Sequence, residues 1–195
     1  MKKNYCVSIT KDELNKLPRY TYQGKIELIE SKKDALDAIN DVKGEKVLGF
    51  DTETRAAFKK GERYDVSLLQ LATGPSVYLF RLNKLPLLPE LFEILSDPNI
   101  VKAGVGIRDD IKALKNLHPF SPQNFVDLAD VAKQKKIENF GLRALTGIVL
   151  GKRLSKKAKI SNWDRKNLTP EQINYAACDG AVGYEIYREF FRLDT

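Results

Sequence analysis

The 195 residues predict a single α/β domain, a mixed β-sheet flanked by helices. Three observations predict it. Strand-like and helix-like apolar periods alternate from residue 25 to about 117. Two strand patterns flank Gly74-Pro75 as a hairpin does, which puts an antiparallel pair inside the sheet. From about Phe125 the spacing is helical almost throughout and ends in a long helix. A chain of this length buries one continuous core, and no repeat or low-complexity linker divides it. The expected organisation is an N-terminal arm over residues 1–24, packed on a domain over 25–195.

Taken in order, the first 24 residues show scattered apolar positions without a period, punctuated by Pro18 and Gly24. Residues 25–30, KIELIE, alternate as a half-buried strand does. Ser31 then caps a helix with apolar positions at 35, 36, 39 and 42. Residues 46–54 form a second strand, and 64–73 with 76–80 form the hairpin. Helical spacing runs from Pro89 to Leu95, a short strand follows in NIVKAG, and Asp109 or Asp110 opens a helix through Ile111, Leu114 and Leu117. The last helix has the firmest start. Thr169 stands at the N-cap, Pro170 at the first helical position and Gln172 at the third, which together make a capping box.

Composition is that of an ordinary globular chain, 43% hydrophobic and 30% charged, which excludes disorder and membrane spanning. No run approaches the roughly 20 apolar residues that cross a bilayer, and MKKNYCVSIT lacks the apolar core of a signal peptide. The expected address is cytoplasmic. Cys6 and Cys178 are far apart and His118 is the single histidine, so the paired spacing of a zinc site is missing and no zinc is expected, while Cys178 is expected to be a buried thiol. A net charge of +7 favours acidic partners, nucleic acid first among them. From Lys152 to Lys166 seven basic residues face one acid, Asp164, and the run holds the only tryptophan, Trp163. Such a segment tracks phosphates and stacks a base. The alternative is a solvated loop with Trp163 turned into the core.

Asp51 and Glu53 lie two apart near the end of an apolar strand. Strand geometry puts them on one face, about 7 Å apart, where they can share a metal. Magnesium takes oxygen ligands, few of them from protein. In the last helix Tyr175 and Asp179 are four apart and share the face continued by Val182 and Ile186. An inward aspartate needs a cation as partner, either a metal or a basic side chain. At Gly104-Val105-Gly106-Ile107 a strand ends and a helix starts, and of Asp109 and Asp110 one is spare once the other caps the helix.

The ordered set Phe50-Asp51-Thr52-Glu53-Thr54, Gly104-Val105-Gly106-Ile107 with Asp110, and Tyr175-Ala176-Ala177-Cys178-Asp179 resembles the three motifs of the DEDD superfamily of 3′-to-5′ exonucleases, in its tyrosine-bearing (DEDDy) subgroup. Lys156, Ser161-Asn162-Trp163, Leu168-Thr169 and Gln172 match the stretch before the last motif. The resemblance covers about residues 25–192 and implies a ribonuclease H-like fold. It implies two divalent cations, Mg or Mn, on Asp51, Glu53, Asp110 and Asp179, with Tyr175 positioning the attacking water. Asp110 is preferred to Asp109 because the family's aspartate falls four residues after the second glycine. The substrate it implies is the 3′ end of DNA or RNA, with Thr52, Thr54, Lys156, Trp163 and Arg165 as candidate nucleic-acid contacts. It leaves a helicase or repair partner unidentified. Gly180 stands where the family often has alanine, and with Gly183 it either permits close packing or loosens the helix. A catalytically inactive binding or protein-interaction module on the same fold is the alternative, against which the retained acids argue.

Overall fold

The computed structural model describes residues 5–155, 158 and 160–192. Six strands form one sheet, and the order in which they pair decides where the site falls. The strands are β1 (Lys25–Ile29), β2 (Val47–Thr54), β3 (Val66–Ala72), β4 (Ser76–Arg81), β5 (Val101–Gly104) and β6 (Phe125–Asp127). Their order is β1-β4-β3-β2-β5-β6. β2, β3 and β4 are antiparallel neighbours, while β1 on β4, β5 on β2 and β6 on β5 run parallel. The mixed α/β expectation holds. Residues of β3 and β4 are buried throughout, as central strands covered on both faces are.

Helices cover the two faces. α2 (Lys32–Lys43), α3 (Pro89–Ser96) and α4 (Arg108–Leu117) close one core with Leu48, Phe50, Leu69, Leu71 and Phe80. On the other face α5 (Leu128–Gln134), α6 (Leu142–Leu150) and α7 (Pro170–Phe191) pack on Leu68, Ala72, Val77, Leu79 and Ala103. Among the described residues no helix is long and apolar enough to cross a membrane. The predicted capping box opens α7, with the Thr169 hydroxyl accepting from the Gln172 amide and the Gln172 side chain accepting from the Thr169 amide.

α7 lies unusually close to the sheet. A Cβ on Gly49 would fall on the Gly180 carbonyl oxygen and 2.8 Å from the Tyr184 nitrogen, and one on Gly183 would stand 2.8 Å from the Ala103 carbonyl oxygen. Real side chains do not approach so near. The glycines of α7 therefore permit close packing, which decides between the two readings of Gly180 and Gly183.

Three expectations need correction. The arm contains a helix, α1 (Lys11–Lys16), with a capping box of its own between Thr10 and Glu13. It is too short to show a period. The arm is also bound in: Tyr20 is buried, its hydroxyl donates to Glu185 at 2.5 Å, and Arg153 bonds the Leu17 carbonyl. Second, no aspartate caps α4; its N-cap is Ile107 without a side-chain bond, and Asp109 and Asp110 both stand in the first turn. Third, the stretch from Phe125 opens with an edge strand, β6, whose three residues gain their form from pairing with β5 rather than from any period of their own.

Candidate metal centre

β2 changes neighbours along its length. It pairs with β5 from Val47 to Gly49 and with β3 from Gly49 to Thr54. Beyond Gly49 the β5 side is open, and Gly104 turns against the Phe50 carbonyl there, a position no Cβ could share. The Gly49 Cβ direction meets α7, so Asp51 and Glu53, at the same strand parity, face α7 as well. On α7 Asp179 directly precedes the glycine that touches β2, and Tyr175 stands one turn earlier. One oxygen each of Asp51, Glu53 and Asp179 come within 4.8 Å of one another. Among the described residues this is the one such acid group.

Asp110 arrives from the first turn of α4. The Thr52 hydroxyl donates to it, on the opposite parity of β2 from Asp51. Asp110 stays outside the group of three yet close enough to act on Asp51 electrostatically. The turn that presents it is held by Asp127, whose Oδ1 accepts from the Gly106 amide at 2.9 Å and the Ala129 amide at 3.0 Å. Gly106 has φ +73°, the left-handed region that glycine adopts without strain. Nothing in the sequence marked Asp127 beyond an acid at the start of a helical run.

Burial raises the pKa of Asp51 well above the carboxylate range, with Asp179 and then Asp110 adding to it. Burial also raises that of Asp110, which the Thr52 bond partly opposes. Burial pushes the Tyr175 hydroxyl up, reinforced by Asp179 and Glu53, so it stays protonated at neutral pH. A divalent cation fits this site on two counts. All donors are oxygens, and the mutual repulsion that favours a proton on Asp51 is relieved by positive charge.

The nucleic-acid expectations fare unequally. Trp163 is fully buried and offers no face to a base, which corrects the stacking role in favour of the core alternative. Its ring sits 6.2 Å from that of Tyr175, tilted by 44°, so it forms part of the bed on which Tyr175 lies. Beside it Asp164, the one acid of the basic run, accepts from the Ser67 hydroxyl at 2.6 Å, and the Arg165 carbonyl accepts from the buried Arg81 at 2.7 Å. The Arg165 side chain is exposed, Thr54 is exposed, and Thr52 is engaged with Asp110. Lys156 lies outside the described residues. Cys178 is buried, as expected.

A cleft of about 620 Å³ opens over Asp51, Glu53, Asp179 and Tyr175. Its opposite wall is made by Ile9, Thr10 and Lys11 of the arm and by Arg143 of α6. Sequence reasoning missed this wall, because it depends on the arm folding back across the domain.

Fold and cluster together define an α/β protein with a carboxylate metal centre at a strand edge. Comparison with known proteins narrows the class. A family model described as 3′-5′ exonuclease matches residues 26–193, and the chain belongs to that family, within the DEDD superfamily. It is 38% identical over 153 residues to the bifunctional 3′-5′ exonuclease/ATP-dependent helicase WRN of Mus musculus, covering 75% of this chain and 11% of that protein. It is 32% identical over 180 residues to exonuclease 3′-5′ domain-containing protein 2 of Drosophila melanogaster, covering 87% of this chain and 30% of the relative. The chain thus spans well under half the length of these relatives. The solved Aedes aegypti Nibbler EXO domain superposes with a TM-score of 0.81 at 25% identity, covering 89% of this chain and 91% of that one. Escherichia coli RNase D shares the fold, with a TM-score of 0.78 at 21% identity over 86% of this chain and 44% of that one. These neighbours bear out the ribonuclease H-like expectation. The family works with two divalent metal ions.

Proposed function

We propose that this chain is a DEDDy-type 3′-to-5′ exonuclease that removes nucleoside monophosphates from the 3′ end of DNA or RNA with Mg or Mn. The observation that carries the proposal is the convergence of Asp51, Glu53 and Asp179 within 4.8 Å, with Tyr175 one helical turn from Asp179. Family membership over residues 26–193 supports it. Asp51, Glu53 and Asp179 would hold the cations, with Asp110 completing the set from the α4 side. When bound, two divalent ions supply charge stabilisation for the scissile phosphate and lower the pKa of the attacking water.

The chain's own residues do the rest. Asp51 binds metal as a carboxylate, and burial together with Asp179 and Asp110 raises its pKa against that form until positive charge arrives. Tyr175, held protonated by burial and the adjacent acids, is a hydrogen-bond donor that orients the water rather than a base that takes its proton. Trp163 packs beside the Tyr175 ring, and a hydrogen bond with Asp179 engages the hydroxyl. The cleft admits a strand end beside the three acids.

The test is digestion of 5′-labelled DNA and RNA strands, single and duplex, with magnesium or manganese. Stepwise shortening to mononucleotides, abolished by chelator and by Asp51→Ala, is the expected result. Intact strands under every condition, together with tight oligonucleotide binding and no manganese binding by calorimetry, would establish a binding module instead. Tyr175→Phe should lower kcat by about 10²-fold or more while manganese affinity stays as in the wild type. An unchanged kcat removes Tyr175 from the mechanism.

A further inference from the structure

Arg143 projects from α6 into the cleft that holds the acids, and its Nε is shut off from solvent without a hydrogen-bond partner. No salt bridge reaches its guanidinium among the described residues. An anion cannot reach that sealed Nε, but the terminal nitrogens are not shut off and make no hydrogen bond or ion pair among the described residues, so they are the donors an anion in the cleft would meet. The cleft is divided by charge. Asp51, Glu53 and Asp179 stand on the wall made by β2 and α7, while Arg143 and Lys11 stand on the wall made by α6 and α1, with no acid among them. At about 620 Å³ the space lies within the range of clefts that enclose a ligand of several dozen atoms.

We propose that Arg143, assisted by Lys11, binds the phosphate next upstream of the scissile one and so registers the strand in the site. This rests on the exonuclease reading. At the 3′ end of a strand the first anion besides the scissile phosphate lies on its 5′ side, and the acid wall, with its cations, takes the scissile one. A guanidinium matches two phosphate oxygens with parallel N–H donors, whereas Lys11 adds a point charge. The N-terminal arm thereby becomes part of the substrate cleft, since Lys11 reaches it only because the arm packs on α6, with Leu14 and Leu17 against Gly147. Arg143 is a substrate-registering residue; it takes no part in proton transfer.

The test compares two substrates, a thymidine dinucleotide with a 5′-hydroxyl, which has only the scissile phosphate, and the same dinucleotide with a 5′-phosphate, which has the second. The wild-type enzyme should show a KM about tenfold lower for the phosphorylated form, the gain expected of one charge-assisted pair. Arg143→Met should bring both KM values together by raising that of the phosphorylated form, and a manganese affinity and urea midpoint like the wild type's show that the variant folds. Arg143→Lys should retain part of the preference. A wild-type enzyme without the preference, or an Arg143→Met enzyme that keeps it, overturns the phosphate site while the exonuclease reading stands. Failure to cut either dinucleotide or the labelled strand overturns that reading itself.

Discussion

Asp51 is a residue whose burial and company oppose its own ionisation. Its folded pKa lies above the unfolded one, so in the metal-free protein its proton stabilises the fold, and that stabilisation is lost as pH rises through the folded pKa. Asp51→Asn keeps the shape and removes the charge. In chelator at pH 8 the Asn protein should therefore be more stable than the wild type, seen as a higher urea midpoint, and should bind no manganese. Lower stability than the wild type in urea unfolding would show that the charge repulsion is compensated elsewhere. The same scale shows what a sequence displays and what it hides. Asp51, Glu53, Tyr175 and Asp179 were legible because strand and helix periods fix which side chains share a face. The Thr52 bond to Asp110 and the Asp127 bond to Gly106 were not, because each joins separate segments of the chain, and the burial of Trp163 stood in the sequence only as one of two readings.

At the scale of elements, the contact between α7 and β2 sets the geometry of the site. Alanine in place of glycine favours an exposed helix interior by roughly 1 kcal/mol, but here space decides the sign. Gly183→Ala drives a methyl against the Ala103 carbonyl and should destabilise by about 1–3 kcal/mol, lifting Asp179 from its partners and weakening metal binding. At Gly180 the nearest atom is the Gln70 Cβ at 3.1 Å, held by the buried β3 backbone but clear by a few tenths of an ångström more than the Ala103 oxygen is at Gly183, so Gly180→Ala should destabilise less than Gly183→Ala. Urea unfolding of the two variants checks the contrast, and equal effects would refute it. The long α7 and the β3–β4 hairpin were readable from capping and turn residues, whereas α1 and β6 were not. Short elements have no period, and their form comes from what they pack against.

For the molecule as a whole, the metal should act as a staple between distant parts of the chain. Asp51, Asp110 and Asp179 come from β2, α4 and α7, so a ligand that binds all of them binds only the folded state. Manganese at 100 times its Kd should add about 2.7 kcal/mol of stability, seen as a rise in Tm that Asp179→Ala abolishes. An equal rise in that variant would place the ion elsewhere. Overall architecture was legible from the alternation of periods, because each helix and strand must bury its apolar face against another layer. The cleft was not, since its far wall is built by the arm, whose residues carry no signal until they meet α6.

The place of α7 in the chain has a consequence for biosynthesis. A growing polypeptide that has reached only residue 169 already contains β2 and α4, with Asp51, Glu53 and Asp110, but neither Tyr175 nor Asp179. Until the final helix emerges from the ribosome and docks its glycines on β2, the nascent chain lacks the acid that completes the cluster. The order of synthesis thus delays assembly of the acid cluster until α7 has docked, and a product that stops at residue 169 would hold three of the four acids with no site to close around a cation.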